Sequence, residues 1–158
     1  MDDVIAARAL HVLFVVVWIG GAMMATTVVL PAIRRGDLGP DWLRAFQAIE
    51  HRFAWQARTS VIIVGLTGLY MMWRLDLWSR LGAASFWWMH AMICLWLLFA
   101  FVLFIGEPFI LHRHLRRWAS AKQDVTFAWL HRAHWVLVVL SVITILGAVA
   151  GSQGWSIF

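Results

Sequence analysis

Charge is scarce in this 158-residue chain: 13% of its residues are Asp, Glu, Lys or Arg, against 63% hydrophobic residues and a mean hydropathy of +0.78. Ordinary soluble domains carry about a quarter charged residues, which excludes that class. Cysteine is nearly absent, and the lone Cys94 sits inside an apolar stretch. Within one chain this excludes disulfide frameworks, iron–sulfur clusters on four thiolates and Cys-rich zinc sites. Also lacking are a nucleophile with an orienting base, a Gly-rich phosphate loop and a carboxylate pair. Any chemistry is therefore expected to be a cofactor's. Before the first apolar run stand Asp2 and Asp3 rather than a cationic segment, and no small-residue cleavage site ends it. A retained helix is expected there, not a signal peptide.

What is present is uncharged length. Ala9–Ile33, Leu81–Gly106 and Ala133–Phe158 run for 25, 26 and 26 residues without Asp, Glu, Lys or Arg. About 20 residues suffice to span a bilayer as a helix. A further span is weaker by count, because Arg58 and Arg74 enclose only 15 uncharged residues, about 22 Å of helix. Extending it from Phe53 to Trp73 leaves Arg58 to snorkel or to find a partner. The expected fold is an all-α integral membrane four-helix up-down bundle in one domain, 1–158, with spans near 9–31, 53–73, 85–111 and 130–150. Ser85 is the expected N-cap of the third span.

The formal charge of +5 and pI near 11.0 are read as topology, with no nucleic acid as partner. Arg34, Arg35, Arg44, Arg52 and Arg58 flank one loop, and Arg113, Arg116, Arg117, Lys122 and Arg132 another, leaving Arg8, Arg74 and Arg80 for the opposite side. Lys and Arg collect in cytoplasmic loops, so both termini are expected outside, in the periplasm of a bacterial inner membrane. After Pro40, Trp42, Phe46, Ile49 and Phe53 recur at helical spacing. They predict an interfacial amphipathic helix running into the second span. Gly147 and Gly151 form a GxxxG pair, a pattern of close helix packing; the same smallness makes room for a flat cofactor.

Imidazole is rare inside a span and calls for a partner or a metal. His11 lies one turn below Arg8, and His90 lies about 7 Å into the third span. The two are expected at similar depth near the outer face, on helices diagonal across an up-down bundle. Two neutral imidazoles so placed suit a b-type haem, with apolar walls from Phe14, Val15, Trp18, Phe86 and Trp87. The competing reading is a histidine satisfied by a carbonyl or a tryptophan. At the inner face, His51 and His134 form a candidate pair for a second haem, while His112, His114 and His131 are expected to be interfacial. Glu107 stands beside Pro108 in a stretch too apolar for an unpaired carboxylate, with Arg58 or Arg52 its natural partner. A structural ion pair is the simpler reading, and a proton relay or an anchor for haem-site histidines or a quinone is the alternative. Met71, Met72, Met89 and Met92 with His90 would suit reduced copper, although methionine in membrane helices is commonly filler.

Leu10-His11 with Trp18-Ile19-Gly20-Gly21 resembles the opening helix of the small copper-resistance D-like (CopD-like) membrane proteins. The likeness continues through Glu50-His51-Arg52-Phe53, Thr67-Gly68-Leu69-Tyr70, Phe86-Trp87-Trp88-Met89-His90, Glu107-Pro108 with His112, and His134-Trp135. That resemblance implies copper transport. A second resemblance, to the membrane protoporphyrinogen oxidase family, implies haem b with His11 as a ligand. This chain departs from it at Leu30-Pro31-Ala32-Ile33-Arg34, lacking that family's Pro-Arg and later Tyr-His. The expected function is thus a bis-histidine cytochrome b in electron transfer or membrane redox chemistry, a membrane oxidoreductase if it is an enzyme, with a quinone or another redox protein as partner. Copper transport and a structural accessory subunit are the alternatives, and a homo-oligomer is compatible with each.

Overall fold

The computed structural model describes residues 1–37, 39, 41–111 and 123–155, and among these there is no strand. Helix α1 (Asp2–Met24) passes through a π-helical turn, Ala25–Val29, into α2 (Leu30–Arg35). The Leu30 N–H reaches back five residues to the Ala25 carbonyl. Gly36, at φ 78°, then closes the helix: its N–H bonds the Ile33 carbonyl and the Asp37 N–H bonds that of Ala32, both at 3.0 Å. That Schellman arrangement needs a left-handed residue, which glycine supplies at no steric cost.

The next helix, α3 (Trp42–Arg74), is unbroken over 33 residues, so the expected amphipathic stretch runs directly into the second apolar segment. Short 3₁₀ turns at Leu77–Gly82 and Ala84–Phe86 lead to α4 (Trp87–Phe101). Ser85 therefore lies inside a 3₁₀ turn, and Phe86 holds the cap position. Helix α4 continues as a ten-residue π-helical segment, Val102–Leu111, and α5 (Gln123–Ser152) closes the described fold.

Three helical stretches, Asp2–Arg35, Ala84–Gly106 and His131–Ser152, are long and apolar enough to cross a membrane. The charges along α3 keep it out of that set, yet its small and branched residues pack inward: Ala54, Ala57, Val61 and Val64 are buried. It runs antiparallel to α1, since Arg74 meets Asp3, Val64 meets His11, and Phe53 lies on Gly21. It is also antiparallel to α4, where Trp96 meets Val61 and Leu103 meets Arg58. Trp18, Ile19, Ala57, Val61, Val64, Leu95, Phe99 and Leu103 form the core, with Leu137 and Ile145 of α5 packed against it. Buried hydroxyls are satisfied within their own helices: Thr26 donates to Ala22, Ser60 to Gln56, Ser141 to Leu137 and Thr144 to Leu140. This lets polar side chains lie between apolar helices with their donors met.

The glycines act as sockets for this chain's own aromatic rings. A Cβ on Gly65 would come within 2.6 Å of the Trp96 ring, and one on Gly21, Gly147 or Gly151 would run into Phe53, Trp87 or Trp88. The GxxxG pair thus receives two tryptophans of α4, so large rings, rather than approaching backbones, fill the space that missing side chains leave.

Candidate functional site

His11 lies on the α1–α3 seam, and its partners fix its tautomer. Nδ1 is 3.1 Å from both the Val64 carbonyl and Thr67 Oγ1. The Thr67 hydroxyl commits its proton to the Ile63 carbonyl at 2.7 Å, which makes its oxygen an acceptor toward the ring. A carbonyl only accepts, so Nδ1 carries the imidazole proton and Nε2 the lone pair. Gly68 leaves room for the ring, since a Cβ there would sit 3.3 Å from His11 Cε1 and the ring would have to give slightly. One nitrogen donating to a backbone carbonyl while the other keeps its lone pair is an arrangement that could hold a metal.

His90 is held differently. Its Nδ1 faces the Phe86 carbonyl at 3.2 Å and its Nε2 the Leu81 carbonyl at 2.9 Å. A neutral ring has one proton for these two acceptors, and the shorter contact takes it. Nε2 thus ties the start of α4 to the preceding 3₁₀ turn. His11 and His90 are each engaged with separate backbone partners; both are half-buried.

Trp18 is buried at 3% exposure and meets Phe99 edge to face, with ring centroids 4.6 Å apart. Its indole N–H is the one buried side-chain donor among the described residues without a hydrogen-bond partner. Of the inner candidates, His51 and Arg52 are exposed and His134 is half-buried. His112, His114 and the side chain of Glu107 lie outside what is described, and with them the expected pairing to Arg58. In the set suited to copper, Met89 is buried and Met71, Met72 and Met92 are half-buried. Among the described residues no three His, Cys, Asp or Glu side chains cluster as a metal site.

Two contacts at the end where α3 and α5 begin were missed by sequence reasoning and share one cause. In the π-helical turn the Leu30 N–H goes to Ala25 rather than to Thr26. The five-residue partner of the Thr26 carbonyl would be residue 31, a proline, which has no N–H. His131 Nε2 reaches that carbonyl at 3.1 Å from α5. In Val102–Leu111 the corresponding partner of the Leu103 carbonyl would be Pro108, and Arg58 Nε donates to it at 3.2 Å from α3. Each orphaned carbonyl is thus met by a polar side chain of another helix. His131 Nε2 is also 3.0 Å from the Trp135 indole N–H. It can serve only one of the two at a time, as donor to Thr26 or acceptor from Trp135. The prolines were the available signal; which carbonyls they orphan depends on the π register.

No known protein family, curated protein or solved structure matches this chain.

Proposed function

We propose that the chain is a four-span up-and-down bundle of a bacterial inner membrane, both termini outside, that binds b-type haem through His11 and serves electron transfer. The observation that carries this reading is the His11 tautomer: with Nδ1–H held by Val64 and Thr67, the Nε2 lone pair is in the form a haem iron takes. The antiparallel pairing of α3 with both α1 and α4 supports the up-and-down arrangement. On the His11 side the residues fit the cofactor. His90 would be a second residue to hold it, with Nε2 then released from the Leu81 carbonyl. Trp18 offers its unpartnered N–H to a polar edge in the core, and His51 with His134 is the pair for a second haem.

Bound haem would supply one-electron chemistry. The chain's own residues would orient His11 through Val64 and Thr67, keep its proton on Nδ1, and exclude water with the Trp18–Phe99 core. The structural accessory reading draws support from His90, whose Nε2 ties the start of α4 to the turn that precedes it.

An optical spectrum of the detergent-purified protein, oxidised and dithionite-reduced, with pyridine-haem and metal quantification, tests the proposal. Sharp reduced bands lost or shifted in both His11→Ala and His90→Ala are the expected result. Intact low-spin bands in both variants would overturn the ligand assignment. A colourless copper protein would turn the reading to transport, and a protein with neither to the structural role.

A further inference from the structure

The basic residues of this chain do not merely outnumber the acidic ones; they do so at one end. Contacts of Phe53 with Gly21, His131 with Thr26 and Arg58 with Leu103 bring together the end of α1–α2, the start of α3, the end of α4 and the start of α5. Assigned by sequence to that end are ten of the thirteen basic residues and five of the eight acidic ones. Three of each are left for the opposite end, so this assignment by sequence gives the entire formal charge of +5 to one end. Arg34, Arg44, Arg52 and Arg132 are exposed there and form no ion pair among the described residues. Arg35 pairs with Asp37 at 3.0 Å.

Tryptophans mark the depth of these arginines. Trp55 is 61% exposed, Trp129 70% and Trp135 42%, and each lies within a turn of a basic or imidazole residue: Trp55 beside Arg52, Trp129 and Trp135 beside His131 and Arg132. An indole ring exposed next to a cation at the end of an apolar helix sits at headgroup level, its body in the acyl region and its N–H in the polar layer. Long arginine side chains at the same level extend toward phosphate.

We infer that this end binds acidic phospholipid headgroups, so that Arg34, Arg44, Arg52 and Arg132 with the three tryptophans form an annular anionic-lipid surface. The inference rests on the membrane-spanning reading and is independent of haem. Charge decides the occupant: a zwitterionic headgroup would leave the net positive charge uncompensated, whereas phosphatidylglycerol or another acidic lipid neutralises it locally.

The test measures quenching of tryptophan fluorescence by brominated phosphatidylglycerol against brominated phosphatidylcholine in reconstituted vesicles. The purified full-length chain is expected to prefer the acidic lipid, with the preference falling as salt rises. Each of R34Q, R44Q, R52Q and R132Q should weaken it about fivefold, and the quadruple variant should abolish it while keeping its helical circular dichroism. R8Q with R80Q, at the opposite end, should leave it unchanged. Equal quenching by both lipids, or equal loss in the opposite-end variant, would overturn the proposal. So would inorganic phosphate displacing the acidic lipid more than chloride does at matched ionic strength, since that would mark a phosphate site. Alkaline-carbonate extraction separates the two readings: release from membranes refutes spanning, while retention without lipid preference refutes only the lipid surface.

Discussion

At the end of the molecule where α1 begins and α3 finishes, side chains hold side chains. The Asp3 carboxylate accepts the Tyr70 hydroxyl at 2.7 Å and Arg74 Nε at 3.1 Å, and the terminal amine lies 3.2 Å away. At the other end, side chains hold backbone: His131 takes the Thr26 carbonyl and Arg58 that of Leu103. Exposed pairs such as the first lose to water much of what they gain and are screened by salt. A carbonyl orphaned by proline between packed helices has no water to turn to. Contacts that look alike as distances therefore carry unequal weight, and those to the orphaned carbonyls are expected to matter more.

The largest effect is expected between the two ends, in the glycine sockets. Gly65→Leu should destabilise by about 3 kcal/mol or prevent folding, since the Trp96 ring occupies that volume, while Gly20→Leu, with nothing within 4 Å, should be tolerated. Thermal midpoints in mild detergent compare the two, and equal losses would show that Trp96 does not need the socket.

Next come the captured carbonyls. His131→Ala and Arg58→Met should each cost about 2 kcal/mol, the penalty of an unmet buried acceptor. Proline makes this specific, because Pro31→Ala restores an N–H at the residue that the π register assigns to the Thr26 carbonyl. His131→Ala should accordingly cost about 1 kcal/mol less in the Pro31→Ala background. A double-mutant cycle with no coupling would remove His131 from that role.

At the His11 seam, Thr67→Val keeps the shape but removes one acceptor. Val64 still holds the Nδ1 proton, so under the haem proposal loading should persist with a modest spectral shift, whereas His11→Ala should abolish it. Loss of haem in Thr67→Val equal to that in His11→Ala would contradict the assigned tautomer. The smallest effect belongs to the exposed end: Tyr70→Phe should lower the thermal midpoint slightly, and added salt should erase the difference. A Tyr70→Phe loss as large as that of His131→Ala would reverse the ranking of the two ends.

Much of the architecture was legible because a bilayer imposes a one-dimensional rule. Three uncharged runs became the three helices apolar enough to span, and the spacing of Trp42, Phe46, Ile49 and Phe53 became the opening of α3. The candidate site was legible only as residue types. His11 and His90 stand out as imidazoles in apolar sequence, but nothing in their spacing shows that one is held through Nδ1 across a seam and the other through Nε2 to the turn before its own helix.

Composition and charge order by themselves determined a helical chain with three stretches apolar enough to cross a membrane and assigned its net charge to one end, because hydropathy and the placement of arginine act segment by segment. Tertiary structure alone decided which carbonyl each histidine meets, which ring fills each glycine, and that Pro31 and Pro108 orphan acceptors which other helices then satisfy. Those choices depend on the register of one helix against another, and register is a property of packed surfaces that no single segment contains.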